Sequence, residues 1–422
     1  MPPDSPALQV LARWAAGVTV LPPEVEQAAR RHLLDGLGCL VLALRRNEVP
    51  SALTVARALG GPGEATLFGA PGRTGAAAAA FGNAVAVHAL DFDDTHDGAL
   101  VHPTAVVLPV ALAVAEQTAA GAADLLAAYA IGLELACRLG LAAPHGFHGR
   151  GLHATSVCGA VAGAAVAARL EGLGAQGIGH AMGIAASGSG GLLEFLHTGS
   201  SVKQVHPGFA AHTAVVAARL AGAGMTGPAG ALDGRSGLFA ALAGRGPDPE
   251  ALLGQLSERW EATRIELKPY PACRLSHSAI GAANALRGQA DPADIETIEV
   301  DMHPDAEAIV CSPKPPATPY EAKFSVRWCI AAMLIDGELT IDTFDRPQRM
   351  DIASLLPRIS HRVVDCAQPA AAAQSRLTAR LRNGRMLIVT GQPGGQPVAK
   401  VAELSWQPTV PELVQAVQGS VR

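Results

Sequence analysis

The chain has 422 residues, 49% of them hydrophobic and only 16% charged, with a formal net charge of −5, which suits a large buried core divided into two or three domains. The acidic balance and the lack of any basic run argue against nucleic acid as partner. Gly75 to Leu90 is apolar but too short and Ala-rich to span a membrane, so a small molecule is the expected ligand.

Met1-Pro-Pro-Asp-Ser lacks the basic and apolar regions of a secretory signal. Residues 6 to about 260 then read as helix after helix. Glu24 to Leu44 follows the Pro22-Pro23 start signal, with apolar residues at three- and four-residue steps through Val25, Ala28, Leu33, Leu37 and Leu40. Further helices are expected at Ala76 to Leu90, Thr104 to Gln117, Ala122 to Leu139, Thr155 to Leu170, Phe209 to Ala221 and Pro249 to Leu256. Near Arg264 the texture changes. Glu296 to Met302, Arg362 to Cys366, Arg376 to Arg382 and Met386 to Thr390 alternate as strands do, and Asn383-Gly384 between the last two is a hairpin signal. Helices intervene at Ser276 to Leu286 and Phe324 to Ile335, and Pro411 to Val421 returns as a helix. The expected fold is mainly α: an all-helical domain over 1–264, to which a helix within 400–422 returns, and a smaller α+β domain over 265–399.

The seven cysteines, Cys39, Cys137, Cys158, Cys273, Cys311, Cys329 and Cys366, are scattered and never spaced as Cys-x-x-Cys, and read as reduced thiols of a cytoplasmic protein. Only five lysines occur among 32 basic residues: Lys203, Lys268, Lys314, Lys323 and Lys400. Either codon bias has left them at random, or lysine is kept where a compact ammonium meets an anion.

The densest polar string is His88-Ala-Leu-Asp91-Phe-Asp93-Asp94-Thr95-His96, running on to His102-Pro103. Its Asp-x-Asp-x-Thr resembles a phosphotransferase nucleophile loop, which must follow a strand; here an Ala-rich helix precedes it. Its Asp-x-Asp-Asp resembles a terpene-cyclase acid, which needs an aromatic cavity this chain is too poor in aromatics to build. If helical geometry persists, His88, Asp91 and Thr95 share one face, and Asp91 and Thr95 point together into a cleft. The plain alternative is a string that caps helix ends and solvates a loop. Acids and imidazoles this close also raise a metal site, but no His-x-x-x-His or metal-loop spacing appears and no metal is expected. Ser187 to Gly191 resembles a phosphate loop only in its glycines, and reads as a hinge or close helix crossing.

Four polar segments precede four helix starts: His102, His153, Lys203 with His206, and Lys268 with Arg274. Helix starts present unpaired N–H groups and a positive dipole end. Were they to converge, the pocket would suit two or three carboxylates, with imidazoles able to move protons near neutral pH. Taken singly, each His could equally be a cap or a buried hydrogen-bonded ring.

In order along most of the chain, Leu21-Pro-Pro-Glu-Val, Leu34-Asp35-Gly-Leu-Gly38, Glu64-Ala-Thr-Leu-Phe-Gly69, the His88 to His96 string, His102-Pro103, Gly151-Leu-His153-Ala-Thr155, Lys203-Gln-Val-His206-Pro-Gly208, Gly227-Pro228, Lys268-Pro-Tyr-Pro271 and Ala322-Lys323-Phe-Ser325 together resemble the MmgE/PrpD family. That family includes 2-methylcitrate dehydratase, cis-aconitate decarboxylase and iminodisuccinate epimerase. The resemblance implies a large helical plus a small α+β domain, a homodimer, and a small polycarboxylate substrate handled without metal or organic cofactor. It implies Asp91, Thr95, His102, His153, Lys203 and Lys268 as pocket residues: the lysines hold carboxylates, the two histidines carry protons, and Asp91 and Thr95 position substrate or water. His206 and Arg274 join the lysines as binding candidates. The expected activity is a dehydratase-like lyase. The alternatives are an epimerase of a dicarboxylate such as iminodisuccinate and a catalytically silent carboxylate-binding dimer. Trp328 stands where the family tends to place a tyrosine, which favours the epimerase, and the C-terminal helix looks short.

Overall fold

The computed structural model describes residues 6–394, 400–401 and 404–421. Its contacts divide the chain into two compact units. One takes residues 6–195, 202–267 and the described C-terminal stretch; the other takes 196–201 and 268–394.

The first unit is built on helices α1 (Pro23–Arg45), α2 (Ala76–His88), α3 (Pro103–Thr118), α4 (Ala122–Leu141), α5 (Ala154–Leu170) and α6 (His206–Gly222). α5 packs against α3, α4 and α6, while α2 lies against α1, α3 and α6. Every residue of α3 from Pro103 to Ala115 and of α5 from Ala154 to Ala168 is buried. A helix apolar all round is a core helix, and alanine and glycine let such helices approach closely. The start of α6 comes earlier than the pattern Phe209 to Ala221 suggests. Pro207 is tolerated in a first turn, so α6 begins at His206 after a 3₁₀ turn over Ser201–Val205. The helix expected over Pro249 to Leu256 ends at Leu253, with Gly254 following.

The second unit holds α7 (His277–Arg287), α8 (Val326–Asp336) and a sheet of β1 (Ile295–Met302), β2 (Ile359–Val363), β3 (Ser375–Leu381) and β4 (Met386–Gly391) in the order β2-β1-β3-β4. β1 pairs parallel with β2 and antiparallel with β3, and β3 turns through Asn383-Gly384 into β4. The strand expected over Arg362 to Cys366 lies three residues earlier. Register is fixed by Ile298 opposite Ile359, which buries Ile359 and leaves Val363 and Val364 exposed. The C-terminal helix, α9 (Val410–Val421), belongs to the first unit and packs on α1 and α3.

Candidate active site

α2 stops at His88, and helical geometry does not persist through the acidic string. Asp91 has φ +53°, a left-handed conformation that aspartate tolerates better than most residues. The expectation that His88, Asp91 and Thr95 share a helical face is therefore wrong. Asp91 instead turns to Lys203, whose Nζ donates to Asp91 Oδ1 at 3.0 Å with both groups buried. Thr95 exchanges two backbone hydrogen bonds with Glu266, at 2.9 and 2.8 Å, and its hydroxyl lies 3.0 Å from His102 Nδ1.

His102 occupies the position before α3 without capping it through its side chain. Its Nδ1 lies 2.9 Å from the Asp94 carbonyl. A carbonyl can only accept, so Nδ1 carries the proton and Nε2 is the basic nitrogen of the neutral ring. The His102 backbone N–H donates to Thr155 Oγ1 at 3.0 Å, tying the starts of α3 and α5 together. Behind the ring, the fully buried Asp93 places Oδ2 2.8 Å from His88 Nδ1 and 3.7 Å from His102 Nδ1.

Three helix starts thus bring their imidazoles into one row. Ring centroids of His102 and His153 are 6.3 Å apart, those of His153 and His206 5.4 Å, and His88 lies 4.9 Å from His102 and 5.7 Å from His153. His153 and His206 face each other through Nδ1 atoms 3.3 Å apart, so one ring donates and the other accepts. Burial, then the Lys203 ammonium, holds His153 well below the usual histidine range. Burial, then neighbouring His88 and Lys203, brings His206 down to about 4. Both are therefore neutral proton acceptors at pH 7. Gly191 makes room for this pair: a Cβ there would sit 3.3 Å from the His206 ring and 3.2 Å from Ser156 Cβ. The Gly191 carbonyl accepts the His153 N–H at 2.8 Å. The glycine-rich segment expected to be a hinge or helix crossing makes a close approach to α6 at Gly188, where a Cβ would stand 3.0 Å from Thr213 Cγ2, and at Gly191 it also gives room to the His206 ring.

Lys268 and Arg274 lie in the second unit, both buried, and Arg274 donates to the Pro393 carbonyl at 2.9 Å. The helix expected from Ser276 begins at His277, after a 3₁₀ turn over Arg274–Ser276. Four of the five lysine side chains, Lys203, Lys268, Lys323 and Lys400, are buried, and only Lys314 is exposed. Trp328 is a core residue, its indole N–H bonded to the Pro347 carbonyl at 2.8 Å and its ring 5.1 Å from Phe344.

Sequence reasoning left out several residues of the site. His88 and Asp93 position the His102 ring, yet their pairing across five residues depends on the left-handed turn at Asp91, which no periodicity announces. His148, brought down to about 4 by burial and then by His145 and Lys203, is one of three histidines between His145 and His153 and carries no pattern of its own. His88, Asp93 and His102 offer ligand atoms within 4.8 Å of one another, close enough to hold an ion. The contacts present are hydrogen bonds that fix ring orientation, with His102 Nδ1 already committed to a carbonyl.

Comparison with known proteins gives the family. The MmgE/PrpD N-terminal domain matches residues 9–250 and the MmgE/PrpD C-terminal domain residues 270–393. A cis-aconitate decarboxylase of Aspergillus terreus is 27% identical over 375 residues, covering 81% of this chain and 76% of its own length. The cis-aconitate decarboxylase of Homo sapiens is 30% identical over 352 residues, covering 79% and 72%, and that of Mus musculus is 30% identical over 353, covering 78% and 70%. With both domains matched in order and the motif residues of the first gathered around one row of imidazoles, the chain belongs to the MmgE/PrpD family.

Proposed function

We propose that this chain is a lyase acting on a small tricarboxylate, and that the reaction develops negative charge on a carbon conjugated with or next to a carboxylate. The observation that carries the reading is the buried row of imidazoles, two of them held neutral, beside the Lys203–Asp91 pair. The names of the relatives make cis-aconitate the first substrate to test. In its decarboxylation the bond to the departing carboxylate breaks and the electron pair stays on carbon. Carbon dioxide leaves, and a proton drawn from solvent passes through an imidazole to the carbon that holds the pair. In dehydration of a hydroxy-tricarboxylate, a neutral imidazole takes the C–H proton and the pair expels hydroxide, which takes that proton back from the imidazolium and leaves as water. A ring whose pKa is depressed is a weak base but a strong acid once protonated, so the same imidazoles serve either direction.

Lys203 and Lys268 each receive a carboxylate and offset the growing charge. His102 and His153 carry the proton, Asp91 and Thr95 position substrate or water, and His206 and Arg274 contribute to binding. Neither reaction requires a metal or organic cofactor. The seven free thiols suit a cytoplasmic protein, and the chain works as a homodimer, which light scattering would check. A second reading, epimerisation of a dicarboxylate, is favoured by Trp328, because an indole committed to Pro347 supplies no acid for a leaving group.

Proton NMR of the enzyme with cis-aconitate, citrate-type hydroxy acids and iminodisuccinate in deuterium oxide decides. Loss of carbon dioxide from cis-aconitate, or vinylic signals from a hydroxy acid, supports the lyase. Deuterium wash-in without either supports the epimerase. Tight binding with every compound unchanged would leave a silent carboxylate binder.

A further inference from the structure

The C-terminal stretch reaches the back of the acidic string through a single buried ammonium. Lys400 has 1% of its side chain exposed and meets the Asp35 carboxylate, itself buried in mid-α1. Its Nζ also lies 4.4 Å from the centroid of the Phe92 ring. Phe92 is the residue between Asp91, which holds Lys203, and Asp93, which holds His88 and abuts His102. The stretch is laid along α1 at two further points: Arg30 lies over the Trp406 ring at 4.8 Å, and Arg45 Nε donates to the Ser420 carbonyl at 2.6 Å. Gly38 permits this approach, since a Cβ there would stand 2.9 Å from Lys400 Cβ.

An ammonium is expensive to bury, and an apolar residue of similar volume would hold the stretch to α1 equally well. What an apolar residue could not do is hold a carboxylate and an aromatic face at once. We propose that Lys400 is a positioning residue: anchored by Asp35, it pins the Phe92 ring and so fixes the left-handed turn at Asp91 and the Asp93 carboxylate behind His102. The proposal deepens the lyase reading by adding a remote strut to that site, and rests on it for its kinetic part only.

The test is a double-mutant cycle of Lys400→Met and Phe92→Leu in the full chain, with Lys400→Arg as conservative rescue. Two measurements are made: turnover of whichever panel compound the wild type converts, and the ring N–H signals of the histidines by 1H–15N NMR without substrate. Each single variant is expected to lower kcat by about 10- to 100-fold with KM within a few-fold, the scale of a small misplacement of reacting groups. The double variant should lose no more than the worse single one, the two should shift the same His88 and His102 signals, and Lys400→Arg should restore most of kcat. Additive losses, or unshifted ring signals in a folded Lys400→Met protein, would overturn the proposal. Should Lys400→Met fold poorly, adding Asp35→Asn removes the stranded carboxylate; restored folding with normal ring signals would equally overturn it. A wild type that converts no compound defeats the lyase reading, while the NMR cycle still decides the role of Lys400.

Discussion

Lys203 and Lys400 are both buried ammonium groups in the helical unit, and each meets an aspartate. Their surroundings differ in kind. Asp35, the partner of Lys400, sits in the middle of a regular helix; burial pushes its carboxyl up to about 6 against the pull of that ammonium, and the neighbouring Cys39 thiol is raised well out of reach of ionisation, burial being the main cause. Asp91, the partner of Lys203, sits at a left-handed turn, and the ammonium it meets helps to hold His153 and His206 neutral. The same kind of ion pair is scaffolding where backbone and neighbours are regular, and is proposed as part of the reactive machinery where a left-handed turn sets its ammonium near imidazoles.

The sharpest way to break this comparison is His102→Ala. Loss of the proposed proton carrier should lower kcat by roughly 10²- to 10⁴-fold, while stability falls by only about 1–3 kcal/mol, the cost of removing the ring's bonds to the Asp94 carbonyl and the Thr95 hydroxyl. A fall in stability matching the fall in turnover would return His102 to the scaffold side. Next in size is Lys203→Met. It strands the buried Asp91 carboxylate, so stability should drop by about 3 kcal/mol in denaturant melts while KM rises. Adding Asp91→Asn should recover the stability without recovering KM, which separates the pair's structural cost from the binding role proposed for Lys203.

Much of this was legible before the fold. The Ala-rich periodicity located α2 to α5 to within a residue or two, and Asn383-Gly384 announced the β3–β4 hairpin. The polar residues just ahead of α3, α5 and α6 marked where the imidazoles would gather, because a helix start carries a local signature. What could not be read were features set by tertiary contact. The turn at Asp91 is not written in any period, so the shared face assigned to His88, Asp91 and Thr95 was an extrapolation of helix past its end. The register that places β2 at Ile359 is chosen by its parallel partner, not by its own alternation. Lys400 stood out as one of five lysines, yet its meeting with Asp35 and Phe92 joins segments hundreds of residues apart.

A smaller effect is expected on the scaffold side of the string. Asp94 receives the Thr104 hydroxyl at 2.6 Å and lies 2.9 Å from His32 Nδ1, and Thr104 in turn meets the Tyr129 hydroxyl at 2.6 Å. Tyr129→Phe removes one hydrogen bond from a network that keeps its others, so about 1 kcal/mol of stability should go with kcat within twofold. A larger loss in kcat than in stability would show that the network reaches the reacting rings.

The smallest effect distinguishes the two lysine environments by pH. His206 titrates at about 4 when folded and near the ordinary 6.5 when unfolded. Between those values the unfolded chain binds the proton and the native one does not, so stability is full above 6.5 and declines as pH falls toward 4. His153, depressed by the same burial, acts in the same direction over a window that starts at the same upper limit. The melting midpoint should therefore fall between pH 6.5 and 4, and His206→Gln, which cannot charge, should flatten part of that slope. Asp35 has its raised carboxyl buried beside Lys400, and its contribution has the opposite sign: a carboxyl harder to ionise in the folded chain costs stability as pH climbs from 3.8 through about 6. Removing His206 should expose that opposing trend, and a slope unchanged by His206→Gln would mean the imidazole row is charged in the native protein.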